Sequence, residues 1–186
     1  GVVHEELHEE GFAKQGGLLE GVQLWVNLPR AFKMTAPRYQ TLLDKEIPSV
    51  ELGGGAGRLR VIAGEFRGVK GPAKTFSPVH LFDLRLTAGH RAELELPEGF
   101  NSSLFVLHGQ VVVNGSQTVG EVEIGLFGQR GERVVLEAKQ DATILLLSGE
   151  PIAEPIARYG PFVMNTRDEI IQAVQDYQAG KMGHLS

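Results

Sequence analysis

The sequence predicts an all-β fold, a β-sandwich or small barrel followed by one short C-terminal helix. Two patterns carry that expectation. Eight short strand-like runs, at residues 59–63, 81–86, 92–96, 103–107, 110–113, 121–126, 133–137 and 142–147, are separated by turns such as Ala88-Gly89, Pro97-Glu98-Gly99, His108-Gly109 and Asn114-Gly115. After them Thr166 and Glu169 form a capping box, and Ile170, Ile171, Val174 and Tyr177 recur at helical spacing until Gly180 stops the run.

Taken in chain order, residues 4–10, if they start as a strand, put His4, Glu6 and His8 on one face and Glu5 on the other. In residues 21–28, Val22, Leu24, Val26 and Leu28 alternate with Gln23, Trp25 and Asn27, so a two-faced strand is expected until Pro29 ends it. Residues 29–49 mix Pro37, Pro48 and charges without a sustained period and read as a connector with at most one helical turn near residues 39–43. The cluster Gly53-Gly54-Gly55-Ala56-Gly57 reads as a hairpin loop, because the strand-to-helix pattern that a phosphate cradle requires does not follow it. In residues 81–86, Leu81, Asp83 and Arg85 oppose Phe82, Leu84 and Leu86, which gives one wet face and one buried face.

The chain has 186 residues, 42% hydrophobic and 22% charged, enough for one full core and part of another. Its net charge of -5 offers no electrostatic footprint for phosphate backbones or anionic membranes, so no direct nucleic-acid or membrane partner is expected. Without cysteine there are neither disulfides nor thiolate metal sites. The longest apolar run, residues 143–147, is too short to span a bilayer, and no signal peptide is visible, so a cytoplasmic protein is expected. Gly1 is not an initiator residue, and the chain reads as truncated or processed at its start.

Histidine placement decides the metal chemistry. Residues 102–115 resemble the strand-turn-strand centre of a cupin, yet the approach at residues 94–101 and the second segment near residues 131–137 hold no histidine. A metal-free C-terminal barrel is therefore expected. His80, His90 and His108 each stand alone beside a turn or proline and read as surface or locally hydrogen-bonded groups, while His184 falls in the tail. Gly1-Val2-Val3-His4 is similar to the Gly-x-x-His end of a second cupin motif. On spacing alone, the acidic run Glu5, Glu6, Glu9 and Glu10 reads as a charged, solvated end.

The closing block Gly160-Pro161-Phe162-Val163-Met164-Asn165-Thr166, with Glu169-Ile170 and Asp176-Tyr177, resembles the C-terminal signature of the pirin family. Gln23 to Leu28 and Pro37-Arg38-Tyr39-Gln40 resemble the family's strand and connector. The resemblance implies a cupin-type, bicupin-derived fold divided as residues 1–28, the last strands of an N-terminal cupin barrel; 29–49, the connector; 50–151, the C-terminal cupin barrel; and 152–186, the tail and helix. It also implies an iron site of three histidines and one glutamate, in which His4 and Glu6 are metal ligands and His8 has no counterpart. With two ligands of four, this chain by itself is expected to hold iron, or another divalent transition metal, weakly or not at all.

Two functions follow from the resemblance. One is quercetin 2,3-dioxygenase activity on a flavonol, with Glu6 as the catalytic base and Gln23 or Trp25 as pocket-lining candidates, although Trp25 reads first as a core residue. The other is a metal-dependent regulatory module that binds a protein partner, toward which an acidic surface steers basic surfaces. A third alternative is a stable piece with no activity of its own.

Overall fold

A computed structural model describes residues 1–185 and divides the chain into two compact units, Gln40–Ile152 and a second that joins Gly1–Tyr39 to the residues from Ala153 on. Ser186, the last residue of the expected 152–186 segment, lies outside the described residues.

The first unit is a β-sandwich. Its strands are β1 (Ser49–Leu52), β2 (Gly57–Ala63), β3 (Glu65–Phe66), β4 (Val69–Lys70), β5 (Val79–Leu86), β6 (Arg91–Glu95), β7 (Asn101–His108), β8 (Val111–Val113), β9 (Gln117–Val119), β10 (Ile124–Leu126), β11 (Arg133–Ala138) and β12 (Ala142–Gly149). A six-stranded sheet runs β1-β2-β5-β12-β7-β10 and a four-stranded sheet runs β6-β11-β8-β9, with every pairing antiparallel. Alternation explains the two layers. Leu59 and Val61 on β2, Leu84 on β5, Leu104 and Val106 on β7, and Ile144 and Leu146 on β12 share one inward face and are each 0% exposed, as are Leu94, Val111 and Leu136 from the other sheet. Each such side chain contributes about 1.5–3 kcal/mol by leaving water. Gly57 is required where the glycine cluster enters β2: at φ 113° a Cβ would meet the Arg85 carbonyl of the neighbouring strand.

The strand pattern read from the sequence is met in β2, β5 to β8, β11 and β12, and the run 121–126 shortens to β10. One face needs correction. Asp83 is 5% exposed, not wet, because Arg60 on β2 and Arg85 on its own strand cover it: Arg60 Nη1 donates to Oδ2 at 3.0 Å and Arg85 Nε lies 3.1 Å from Oδ1. The Arg60 guanidinium also pairs with Asp44, and Arg85 Nη1 donates to the Thr143 hydroxyl at 3.0 Å.

The connector's helical turn lies later than expected, as a 3-10 turn at Asp44–Glu46. The Glu46 carboxylate accepts the Leu43 N–H at 2.7 Å and fixes the turn at that point. Another 3-10 turn, Arg30–Phe32, follows Pro29.

In the second unit the expected strand at 21–28 forms no ladder. A strand needs a hydrogen-bonded neighbour, and among the described residues this segment has none, so Trp25 stands 69% exposed and is no core residue. Nor do residues 4–10 form a strand. Glu9 turns the chain into α1 (Glu10–Gln15), its carboxylate accepting the N–H groups of Gly11 and Phe12, each at 2.8 Å. Those two bonds hold the Glu9 carboxyl below its ordinary value. The unit continues in a hairpin of β13 (Ala157–Tyr159) and β14 (Phe162–Met164) and in α2 (Arg167–Gln178), which packs on the hairpin, with Phe162 and Tyr177 edge to face at 6.0 Å. The helix belongs to the unit that also holds the first 39 residues. No helix among the described residues is long and apolar enough to cross a membrane.

Candidate functional site

His4 and Glu6 lie in the irregular stretch before α1, and both are exposed. Without a strand there, the period-two argument for one shared face no longer applies. The structure does connect Glu6 to the segment at 21–28: Gln23 Nε2 donates to Glu6 Oε1 at 3.5 Å, and Trp25 Nε1 donates to Gln23 Oε1 at 3.4 Å. Gln23 thus stands between the indole and the carboxylate. His8 is not part of this row, since its ring rests 5.8 Å from that of Phe12 at a 52° tilt.

As metal donors, one imidazole nitrogen and one carboxylate suit a borderline divalent ion in kind. They fall short in number. Among the described residues no cluster of three or more His, Cys, Asp or Glu side chains is placed to hold a metal ion. The residues present thus supply part of a coordination sphere and do not by themselves fit a complete one.

The histidines of the sandwich divide into two kinds. His90 bonds locally through Nδ1 to the Ala88 carbonyl at 3.0 Å, and the exposed His108 has Nδ1 3.9 Å from Glu121 Oε1. His184 is exposed near the C-terminus. His80 departs from the surface role expected of it. The β5 register turns it inward with Phe82, where its ring lies 5.5 Å from Phe82 and 6.0 Å from Phe100, and its Nδ1 is buried without a partner. Burial depresses its pKa below the ordinary value, against the opposing pull of Glu65. Ser148 pairs in register with both His80 and Ser102, and the two serine hydroxyls are 2.8 Å apart. This polar row across three strands was not read from the sequence; the inward phase of Phe82 and Leu84, extended back by two residues, signals it.

The second unit also contains a polar clasp that sequence reading missed. Asn165, 6% exposed, donates through Nδ2 to Glu154 Oε2 at 3.0 Å and to the Pro155 carbonyl at 2.9 Å. The Arg30 N–H reaches the same Glu154 oxygen at 2.8 Å, and Arg30 Nη2 pairs with Glu169 Oε1 at 3.0 Å. Lys33 Nζ donates to Asn27 Oδ1 at 2.7 Å and to the Val163 carbonyl at 3.2 Å, and burial lowers its pKa while Glu154 and Glu169 oppose that shift. Glu169 closes the capping box by accepting the N–H groups of Asn165 and Thr166 at 3.0 and 2.9 Å. Burial pushes its carboxyl up, but these bonds, the Thr166 hydroxyl and Arg30 prevail and leave it below the ordinary value. The Met-Asn-Thr wording ahead of the capping box was the available signal, since a buried asparagine needs partners.

Comparison with known proteins identifies the family. Residues 81–183 match the pirin C-terminal cupin domain. A Pseudomonas aeruginosa protein, named as a candidate quercetin 2,3-dioxygenase, is 50% identical over 181 residues, 97% of this chain and 63% of the relative. Pirin of Mus musculus is 37% identical over 168 residues, 88% of this chain and 57% of the relative. The crystal structure of quercetin 2,3-dioxygenase from Acinetobacter baumannii aligns with a TM-score of 0.83 at 42% identity, over 87% of this chain and 56% of that one. The chain therefore spans less than two thirds of the length of each of these relatives. With its family-specific domain matched over more than half its length and its sandwich shared with a solved relative, the chain belongs to the pirin family.

Proposed function

We propose that the chain is part of a pirin-type bicupin that carries out quercetin 2,3-dioxygenase-type chemistry, with His4 and Glu6 supplying two of the ligands of an iron centre. The observation that carries the reading is the His4-x-Glu6 pair, which matches the family's ligand pattern and whose carboxylate lies 3.5 Å from the Gln23 amide. Family membership supports it, and so do the names of the Pseudomonas and Acinetobacter relatives. The proposed division into 1–28, 29–49, 50–151 and 152–186 goes with it, the remaining ligands coming from residues that the longer relatives have and this sequence does not.

Iron, or another divalent transition metal, would supply Lewis acidity toward the oxygens of a flavonol. The chain's own part is simpler. Glu6 takes the proton of the flavonol hydroxyl at its carboxylate, and Gln23 keeps that carboxylate aimed. Trp25, exposed beside Gln23, offers an aromatic face to a planar substrate.

The test compares this chain with a polypeptide of the relatives' length that carries the same sequence. The longer protein is expected to hold iron and to consume oxygen with quercetin, His4→Ala and Glu6→Ala are expected to remove most of both, and this chain alone is expected to bind iron weakly. Iron content unchanged by His4→Ala would overturn the ligand assignment. Iron binding without oxygen consumption would replace the enzyme reading with a metal-dependent module that binds a protein partner.

A further inference from the structure

A groove of about 640 Å³ opens within the second unit, between α2 and β13. Its floor is one stripe of the helix: Ile170, Ile171 and Val174 follow Arg167 at the spacing that stacks side chains on a single face. Ile170 is 8% exposed and anchors the floor, whereas Ile171 is 50% and Tyr159, on the opposite wall, 69% exposed. Large apolar side chains left this open on one face mark a binding surface.

Charge decides what fits. Arg158 on β13 and Arg167 at the start of α2 both line the groove, and among the described residues neither guanidinium pairs with a carboxylate. In a chain of net charge -5, two free guanidiniums on an apolar groove form a local cationic exception. Arginine presents a planar fork that takes a carboxylate in bidentate fashion, and it does so most strongly beside low-dielectric walls. The volume lies in the range that encloses a small molecule.

We propose that this groove binds a small apolar carboxylate, its tail lying along Ile170, Ile171 and Val174 beside Tyr159 and its carboxylate held by Arg158 and Arg167. The site is independent of His4 and Glu6 and stands or falls without the iron centre. Neither arginine takes part in the polar clasp, so both can be replaced without touching Asn165 or Glu154.

The experiment uses this chain with 8-anilinonaphthalene-1-sulfonate as a fluorescent probe, displaced by decanoate or by its uncharged analogue decanamide. Decanoate is expected to displace the probe at a concentration at least about tenfold lower than decanamide, the ratio that one charge-assisted bond accounts for. The double variant Arg158→Gln with Arg167→Gln is expected to abolish that preference while its circular dichroism and melting stay those of the parent chain. Ile171→Glu should remove binding of probe and decanoate together; if it fails to fold, Ile171→Ser serves, with an expected loss of affinity for both ligands. Equal displacement by the two ligands, or a preference that survives the double arginine variant, overturns the proposal. So does light scattering that shows a dimer which Ile171→Glu or Ile171→Ser dissociates, because the groove is then an interface between two copies.

Discussion

Replacing Asn165 by leucine keeps the volume and removes the amide from the clasp. Two hydrogen bonds disappear, one to the Glu154 carboxylate at 3.0 Å and one to the Pro155 carbonyl at 2.9 Å. A bond to a charged group is worth about 1.5–3 kcal/mol and a neutral one about 0.5–1.5 kcal/mol. Glu154 keeps the Arg30 N–H and is not orphaned, so the lower half of the summed range applies, about 2–3 kcal/mol. That free energy reads directly as amide exchange in the segment the clasp holds. Protection of peptides covering α2 should fall about 30-fold or more, while peptides from β12, in the sandwich, serve as the internal reference. A change of less than about twofold in α2 would show that the signature's asparagine does not hold this arm, and the clasp would then be a surface decoration.

Three further outcomes follow from the same structure. Asp83→Ala should lower stability to urea by about 2 kcal/mol or more, since it leaves the largely buried Arg60 guanidinium with only the exposed Asp44 as partner; an unchanged midpoint would show that the buried pair contributes nothing. His80 titrates lower in the folded state than unfolded, so the unfolded chain binds more protons as pH falls below about 6.5, and stability present above that pH declines through the folded value; His80→Phe should flatten this part of a plot of Tm against pH, and an unaltered slope would exclude His80 as its source. Glu169 is also depressed, so its contribution is complete above the ordinary glutamate range and is lost as pH falls through its folded value; Glu169→Gln should remove that acid-side loss from the exchange of α2, and persistence of the loss would assign it elsewhere.

The sandwich was legible because alternation is local: Leu84, Leu94, Leu104 and Leu136 declare their faces within five residues of themselves. The capping box of α2 was legible for the same reason. Residues 21–28 alternate just as well and still form no ladder, because a strand pattern states a need for a neighbour and cannot supply one. The clasp was hidden by distance along the chain, Arg30 and Glu154 being 124 residues apart. Likewise Asp83 read as wet because the guanidinium that buries it comes from another strand. For the candidate site, the His-x-Glu spacing was visible, but the bond from Gln23 to Glu6 spans 17 residues and has no local signature.

Residues 1–39 and the residues from Ala153 on share one unit, with the Val3 N–H bonded to the Met182 carbonyl at 2.8 Å, and the sandwich residues 40–152 come between them along the chain. This arrangement sets a schedule for synthesis on the ribosome. Residues 40–152 can fold as soon as they emerge, whereas residues 1–39 wait for partners that are translated after the sandwich. At about 5–20 residues per second the wait lasts roughly 5–20 s, during which Arg30 lacks Glu154 and Glu169 and Lys33 lacks the Val163 carbonyl. Of these two units the sandwich is the first that can form, and the Gly160 to Thr166 signature, translated after it, is what lets residues 1–39 settle.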